Sequence, residues 1–519
     1  MYEWKLHEFI VRASGKENTL FTISTTPVIK IIVPFSGVRT QCIDKILFFL
    51  FLLRIITLYG RHTSGIRKKR AMRMNRRIIS LLLIVALLCM LSGCSSNIPS
   101  DSIPNSELTV RAEDLAIPTA PESSVNRILP APIAGPLPTE SDPLAPEIRV
   151  TLTAVGDIIM HKPVTDGGRT NPGQSPAEYD YSYAFQYIRP IFQESDLAIG
   201  NFEGTMAGPP YTGFPHFCGP DEIADALHEA GFRVMCTANN HCIDKGLDGL
   251  VRTASVFKEK GFTVIGTRPD ENSPIDAIVD ISGIQVGLIS YTFESIGTKT
   301  RKALNGIPLP EGSDPLINSF NPNRTSSFEN DMEAIVDDIE RLRREGAEFI
   351  CFFVHWGTEY TTRSSAWQQD MAMRLCDAGV GLIIGHHPHV LQEIDVLVSE
   401  KNGNQTLVYY STGNFFGNWA FQTLGTYGKT QDGMIARVTI LKTKEGVRIE
   451  KGEYIPTFVV RTPRGPGMKH YIIPSIPASK DPEHYRTTET DMLASVKRVG
   501  KILSECVGTQ EIPIFMSER

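Results

Sequence analysis

Apolar and polar positions fall into blocks from Ile148 onward, and the blocks change period in a regular order. RVTLTAVGD is an apolar run closed by Gly-Asp, and DLAIGNFEG repeats that form. EIADALHEAG carries apolar residues at helical spacing with a glycine stop, and FRVMCTANNH predicts a strand that ends in a polar turn. GLDGLVRTASVFKEKG predicts an amphipathic helix feeding the strand FTVIGT. IDAIVDIS and IQVGLISYTF flank Gly283 and predict a β-hairpin. FENDMEAIVDDIERLRREG predicts a long helix leading into the strand EFICFFVHWG. AWQQDMAMRLCDAGV leads to GLIIGHHPH, and LVYYSTGNFF closes the series. After Glu453, YIPTFVVRTPRGPGMKHYIIPSIP predicts strands with Pro/Gly turns, and TDMLASVKRVGKILSECV predicts a terminal helix.

Helices that alternate with apolar strands predict an α/β fold with largely buried sheets. The polar clusters fall just past strand C-termini, the edge at which open α/β sheets bind ligands. One composite site, assembled from loops far apart in sequence, follows from that placement.

The N-terminal third has a different pattern. Met72 to Cys94 has a positive start at Arg73, Arg76 and Arg77, an apolar stretch from Ile78 to Met90, and Leu91-Ser92-Gly93-Cys94 at its end. These are the parts of an export signal, and the last four residues resemble a bacterial lipobox with Cys94 as the lipidated residue. The expected address is the extracytoplasmic face of a bacterial membrane, with the lipid as anchor. Residues 1–71 precede this signal and hold a second apolar patch, but Ile46 to Leu53 is too short to span a bilayer and Arg54 interrupts it. They are read as an upstream extension, with the true start at Met72 or Met74. Residues 95–147 are rich in Pro, Ser and acidic side chains and predict a disordered tether. Residues 148–475 form the expected main domain and 476–519 a helical tail packed on it.

Composition narrows the chemistry only a little. A net charge of −6 gives no overall basic footprint, which argues against a nucleic-acid partner. Six cysteines follow Cys94, without C-x-x-C pairing and several within apolar runs. They predict buried thiols rather than a disulfide scaffold or a zinc-thiolate site.

The candidate chemistry lies at the strand ends. Asp157 follows Gly156, with His161 four residues on; Asn201 and Glu203 lie in GNFEG; Asn240, His241 and Asp244 lie in ANNHCIDKG. His355 and Glu359 lie in VHWGTEY, His386, His387 and His389 in GHHPHVLQ, and Asn414 in STGNFFG. Taken singly, Asp157 is also an ordinary turn cap, Asn201 and Asn240 ordinary turn residues, and His355 an ordinary core histidine. Taken together they offer carboxylate, amide and imidazole without thiolate, a donor set suited to Mn²⁺, Zn²⁺ or Fe²⁺. One or two such ions would lower the pKa of bound water and make hydroxide available near neutral pH. On an extended strand His387 and His389 would face one side and His386 the other, which predicts the first two as a chelating pair and the third as a support.

GDIIMH, GNFEG, ANNHCIDKG, HWGTEY, GHHPHVLQ and YSTGNFF, in that order, resemble the CapA family, named for proteins of poly-γ-glutamate capsule synthesis. That family is a variant of the calcineurin-like metallophosphoesterase superfamily. The resemblance implies a sandwich of two central β-sheets flanked by helices, with a metal site at the strand ends. By motif it implies Asp157, Glu203, Asn240, His355, His387 and His389 as metal ligands and His241 as the general acid. His161, Asn201, Asp244, Glu359, His386 and Asn414 would support them. The superfamily's usual first block is D-x-H, whereas position 159 here is Ile. His161 either replaces the missing imidazole or is a loop residue. The expected function is metal-dependent hydrolysis in the synthesis of an anionic envelope polymer such as poly-γ-glutamate, alongside membrane-bound capsule synthesis proteins. The alternative is a non-catalytic binding or export component on the same fold.

Overall fold

The computed structural model describes residues 19–23, 31–35, 147–297, 301–419, 429–462, 467–504 and 512–519. The export signal, Cys94, the tether up to residue 146 and Cys506 lie outside the described residues. The chain divides into two units, Met1–Ile133 and Ala134–Arg519. In the first, Thr19–Ile23 and Ile31–Phe35 pair as antiparallel strands. Among the described residues no helix is long and apolar enough to cross a membrane.

Among the described residues the second unit holds two large β-sheets and a two-stranded ribbon, Ala303–Leu304 with Ile307–Pro308. In the first, strands β1 (Ile148–Ile158), β2 (Leu197–Phe202), β3 (Phe232–Cys236) and β4 (Thr263–Ile265) lie side by side and parallel. The second sheet begins with the hairpin β5 (Ala277–Ile281) and β6 (Ile284–Phe293), which turns at Ser282 and Gly283, both with positive φ. It continues through β7 (Ser319–Phe320), β8 (Phe349–His355), β9 (Leu382–His386), β10 (Ile394–Val398) and β11 (Gln405–Tyr409), in the order β7-β6-β8-β9-β11-β10. Strand β12 (Asn414–Phe416) returns to the first sheet and pairs with β1. The long antiparallel strands β13 (Asp432–Thr443) and β14 (Gly446–Arg461), with β15 (His470–Pro474), extend that sheet from the edge of β1 opposite β2, the edge on which β12 also pairs.

Two features go beyond the sequence reading. LVYYSTGNFF is shared between two strands, β11 ending at Tyr409 and β12 beginning at Asn414. Gly413, at φ 70°, breaks the run, and the chain passes from one sheet to the other. The stretch from Asp432 to Gly452, which gives no polar cluster at a strand end, forms much of the longest antiparallel pair of the first sheet.

The sheets pack face to face. Leu152, Ile199, Val234, Met434 and Val438 of one meet Leu288, Cys351, Phe353, Ile384 and Leu407 of the other in one buried cluster. The outer face of the first sheet is covered by helices α1 (Glu222–Ala230) and α2 (Gly246–Glu259), through Leu227 and Phe257. The outer face of the second is covered by α3 (Thr325–Arg344) and α4 (Ala366–Asp377), through Ile335, Ile339, Met371 and Leu375. The predicted helices form because their apolar positions recur at helical spacing and so make one continuous stripe that only a sheet face can bury. The result is a metallophosphoesterase-like sandwich of two central sheets between layers of helices.

The terminal helix α5 (Glu489–Ile502) is capped by the Thr488 hydroxyl, which accepts the Asp491 amide. Arg498 reaches the buried Asp432 carboxylate at 2.6 and 2.8 Å, and Ser495 donates to it at 2.7 Å. The described cysteines Cys218, Cys236, Cys242, Cys351 and Cys376 are buried free thiols.

Candidate metal centre

The strand ends deliver their polar side chains to one buried point. Asp157 lies near the end of β1, and its register partners are Asn201 on β2 and Asn414 on β12. Glu203 follows the end of β2, and its amide donates to the Ile158 carbonyl at 2.9 Å. Asn240 and His241 lie in the turn after β3. His355 ends β8 beside its register partner His386, which ends β9. His387 and His389 follow in the loop. All ten side chains are buried.

Asp157 organises the first-sheet side. Asn201 Nδ2–H donates to its Oδ1 at 2.8 Å, and the His387 amide approaches its Oδ2 at 3.4 Å. His389 Nδ1 lies 3.0 Å from the same Oδ2 and 3.1 Å from Asn414 Oδ1. Both partners are acceptors, so Nδ1 carries the proton and His389 turns Nε2 toward Glu203, 3.8 Å away. His355 Nε2 stands 2.9 Å from Asn240 Oδ1 and 3.6 Å from Glu203 Oε1. Ligand atoms about 2.1 Å from an octahedral ion are themselves about 3 Å apart, so the His355–Asn240 spacing also fits two ligands on one cation.

Glu203 is the centre of the cluster. Both of its carboxylate oxygens are buried without a hydrogen-bond partner, as are Asn201 Oδ1, His355 Nδ1 and His387 Nδ1. A buried carboxylate without partners is costly, and a cation is the usual remedy. Two groups of potential ligands share it: Glu203 with His387 and His389, and Asp157 with Glu203 and His355. Ligand atoms in each group lie within 4.8 Å of one another. These residues fit one or two divalent ions, with Glu203 common to both positions.

The electrostatics have the same cause. Burial pushes the Glu203 carboxyl up to about 8, although His389 opposes the shift. Burial would lower His389, but Glu203 and its bond to Asp157 hold it at about 9. Burial would also raise Asp157, yet the hydrogen bond and charge of His389 carry it below the ordinary range. Burial lowers His355 to about 3 and His386 to about 4. His387 falls well below its usual value for the same reason. Without a metal, His389 therefore carries its positive charge beside the ionised Asp157 carboxylate.

At one edge, His241 Nδ1 lies 2.8 Å from Asp244 Oδ2, and its Nε2 faces Glu203 Oε1 at 4.0 Å. Asp244 Oδ2 also accepts the Phe217 amide at 2.6 Å, which ties the His241 ring to the neighbouring loop. The His241 backbone is fixed by Asn239, whose Oδ1 accepts its amide at 3.1 Å.

Three predicted residues lie apart from the ligand groups. His386 points away, its Nε2–H donating to the Val155 carbonyl at 3.1 Å. Glu359 is exposed. His161 is half-buried, and its Nδ1 accepts the Asn418 amide at 3.2 Å. The geometry expected of the histidine pair also needs correction. His387 and His389 are not on a strand but in a loop, with φ of 93° and 56°. Left-handed backbone, rather than strand alternation, turns both rings to the same side.

Sequence reasoning missed the aromatic packing around these imidazoles. Phe293 lies 4.7 Å from His387, Trp419 4.8 Å from His389 and Phe217 4.7 Å from His241, centroid to centroid. No motif marks these rings, although Trp419 closes the segment that begins at Asn414. Beyond Phe293 opens a cleft of about 580 Å³, also lined by Ile296, Arg301, Pro308 and Asn323.

The chain is 28% identical over 277 residues to "Capsule biosynthesis protein CapA" of Bacillus anthracis, covering 51% of this chain and 59% of that protein. It is 28% identical over 274 residues to "PGA biosynthesis protein CapA" of Bacillus subtilis (strain 168), covering 50% of this chain and 61% of that protein. The matched region thus spans about three fifths of each relative's length. The model of the family "Bacterial capsule synthesis protein PGA_cap" matches residues 151–418, just over half of the chain and the span that carries every residue of the centre. The chain belongs to the bacterial capsule synthesis protein family.

Proposed function

We propose that the chain is a metal-dependent hydrolase acting on an anionic cell-envelope polymer such as poly-γ-glutamate, in capsule synthesis. The observation that carries this reading is Glu203, a buried carboxylate with two unpartnered oxygens shared by two groups of potential ligands. Asp157, Glu203, Asn240, His355, His387 and His389 would hold Mn²⁺, Zn²⁺ or Fe²⁺. A bound ion of this kind supplies a Lewis acid and lowers the pKa of water.

The protein's own side chains do the rest. His241, oriented by Asp244 through Nδ1, presents Nε2 at the edge of the centre, where it can hand a proton to a leaving group. Asn201 and Asn414 hold Asp157 and His389 in place, with His389 Nε2 turned toward Glu203. The cleft beyond Phe293 offers Arg301 and apolar walls to the rest of an extended substrate. Export and attachment through a lipid on Cys94 rest on the Met72 to Cys94 pattern, and the same placement would set the chain beside membrane-bound capsule synthesis proteins.

The test is metal content by plasma mass spectrometry of the chain and of a His387→Ala, His389→Ala double variant, followed by a hydrolase screen. Stoichiometric Mn, Zn or Fe in the parent, lost from a folded variant, with turnover of a phosphoester or amide substrate, is the expected result. Absence of metal in both after reloading would overturn the hydrolase and leave a polymer-binding component.

A further inference from the structure

Phe293 belongs to two places at once. Its ring lies 4.7 Å from that of His387 and 6.4 Å from that of His355, and the same residue walls the cleft of about 580 Å³. Another part of the cleft wall is the short ribbon, through Ala303 and Pro308. Leu304 and Ile307 of that ribbon pack in one apolar cluster with Cys242 and Ile243, which directly follow His241. The cleft is thus bounded by residues that also touch the metal centre and the loop of the proposed proton donor. A polymer unit held there would adjoin the unit that reacts.

Among the described residues that line the cleft, Arg301 alone is charged. Its Nε–H donates to the Leu309 carbonyl at 2.8 Å, and it has no ion pair among the described residues. That bond leaves both Nη groups for a ligand. The backbone at Arg301 is held closely as well. Gly297 has φ 59°, and a Cβ there would stand 2.7 Å from the Arg301 carbonyl oxygen. The acid next to this segment is already satisfied. Glu294 is buried, accepts from Ser319 at 2.8 Å and Asn321 at 3.2 Å, and pairs with Lys302 at 3.3 Å. The Arg301 charge is therefore left for a group that enters the cleft. A guanidinium matches a carboxylate with two parallel hydrogen bonds, and apolar walls such as Phe293 and Ile296 suit the methylenes that carry it.

We infer that this cleft is the subsite for the polymer unit beside the reacting bond, and that Arg301 is a specificity residue selecting a free carboxylate on that unit. The inference rests on the proposed metal centre as the place of reaction.

The test uses the full chain with Arg301→Ala, Arg301→Lys and Ile296→Glu. Ile296 is 68% exposed, so a glutamate there adds a negative charge to the cleft without disturbing the core. Affinity is read by calorimetry for three probes: a γ-linked glutamate oligomer, the same oligomer with its free carboxylates converted to amides, and a phosphodiester-linked glycerol oligomer. Metal content is read on the same samples by plasma mass spectrometry. The parent should prefer the carboxylate oligomer. Arg301→Ala should bind it about 10- to 100-fold more weakly, the loss expected for hydrogen bonds to a charged group, and should lose the preference over the amide form. Arg301→Lys should recover part of the affinity, Ile296→Glu should weaken it, and metal content should stay unchanged in all three. Equal affinity of parent and Arg301→Ala, or an equal loss for the amide oligomer, would overturn the inference. An Arg301-dependent preference for the phosphodiester would overturn the choice of carboxylate. A parent without metal that keeps the Arg301-dependent preference would sink the hydrolase alone, whereas a metal-loaded parent without the preference would sink the subsite alone.

Discussion

Asp157 and His389 stand 232 positions apart in the chain, yet Oδ2 of one and Nδ1 of the other are 3.0 Å apart. Asp157 belongs to the first sheet and His389 to the loop that leaves the second. Their contact fixes the imidazole proton on Nδ1 and so decides which nitrogen faces Glu203. A carboxylate that orients a metal-binding histidine is a common means of raising ligand basicity.

Glu203→Gln is expected to move two quantities in opposite directions. Metal affinity should fall at least about tenfold, as for loss of a shared ligand. The metal-free protein should become more stable, because a carboxylate pushed up to about 8 from 4.5 costs stability once the pH passes its unfolded value. Glu203 favours the fold fully below pH 4.5, and that contribution is lost as pH rises through 8. The variant's advantage should thus be absent at pH 4 and largest above pH 8. A midpoint about 2–4 °C higher, the shift that about 1 kcal/mol gives in a domain of a few hundred residues, is the scale to look for in thermal melts.

Asp244→Asn should leave metal content unchanged and lower kcat by about 10²–10⁴, the range general acid–base catalysis supplies. The measurement is steady-state turnover of a substrate the parent cleaves, with metal analysis of the same samples. Loss of metal along with activity would place Asp244 among the groups that hold the ion rather than behind His241.

Arg498→Ala should destabilise the domain by about 3–5 kcal/mol, because it strands a fully buried carboxylate at Asp432. Urea unfolding of that variant beside an Arg498→Leu, Asp432→Leu double variant checks the cause. The double variant should recover much of the loss, since no buried charge remains.

Gly156→Ala should impair folding outright. A Cβ there would stand 1.8 Å from the Gly413 carbonyl oxygen, backbone that cannot swing aside, at the crossing where Asp157 N–H bonds the same oxygen. Reduced soluble yield and an early thermal transition are the expected readouts. A variant that melts with the parent would show that this crossing yields more easily than its spacing implies.

Much of this was legible in the sequence because strands and helices of this fold carry strong periodic signals. The hairpin at Gly283 and the helix Thr325–Arg344 are examples. The strand ends that bear Asp157, Glu203, Asn240 and His355 were legible for a related reason: polar residues directly after apolar runs stand out. Three things were not. The sheet change at Gly413 depends on the backbone path through Ser411-Thr412-Gly413, a polar break that marks a strand end without saying which sheet the chain joins next. The turn that brings His387 and His389 together uses left-handed backbone at non-glycine residues, and a histidine pair can also suggest a strand. His161 stays open in the sequence, as a replacement ligand or a loop residue, because proximity to Asp157 says nothing of what its ring meets; in the structure it lies outside both ligand groups.

The crossing at Gly413 has one more consequence. Asp157, Asn201 and Glu203 come from one sheet, while His355, His387 and His389 come from the other or its loop. A cation taken up at Glu203 would therefore rivet the two halves of the sandwich together. Loading should slow amide exchange in β1 and β8 alike, so the ion would be felt as a fastener across the whole fold before any bond is cut.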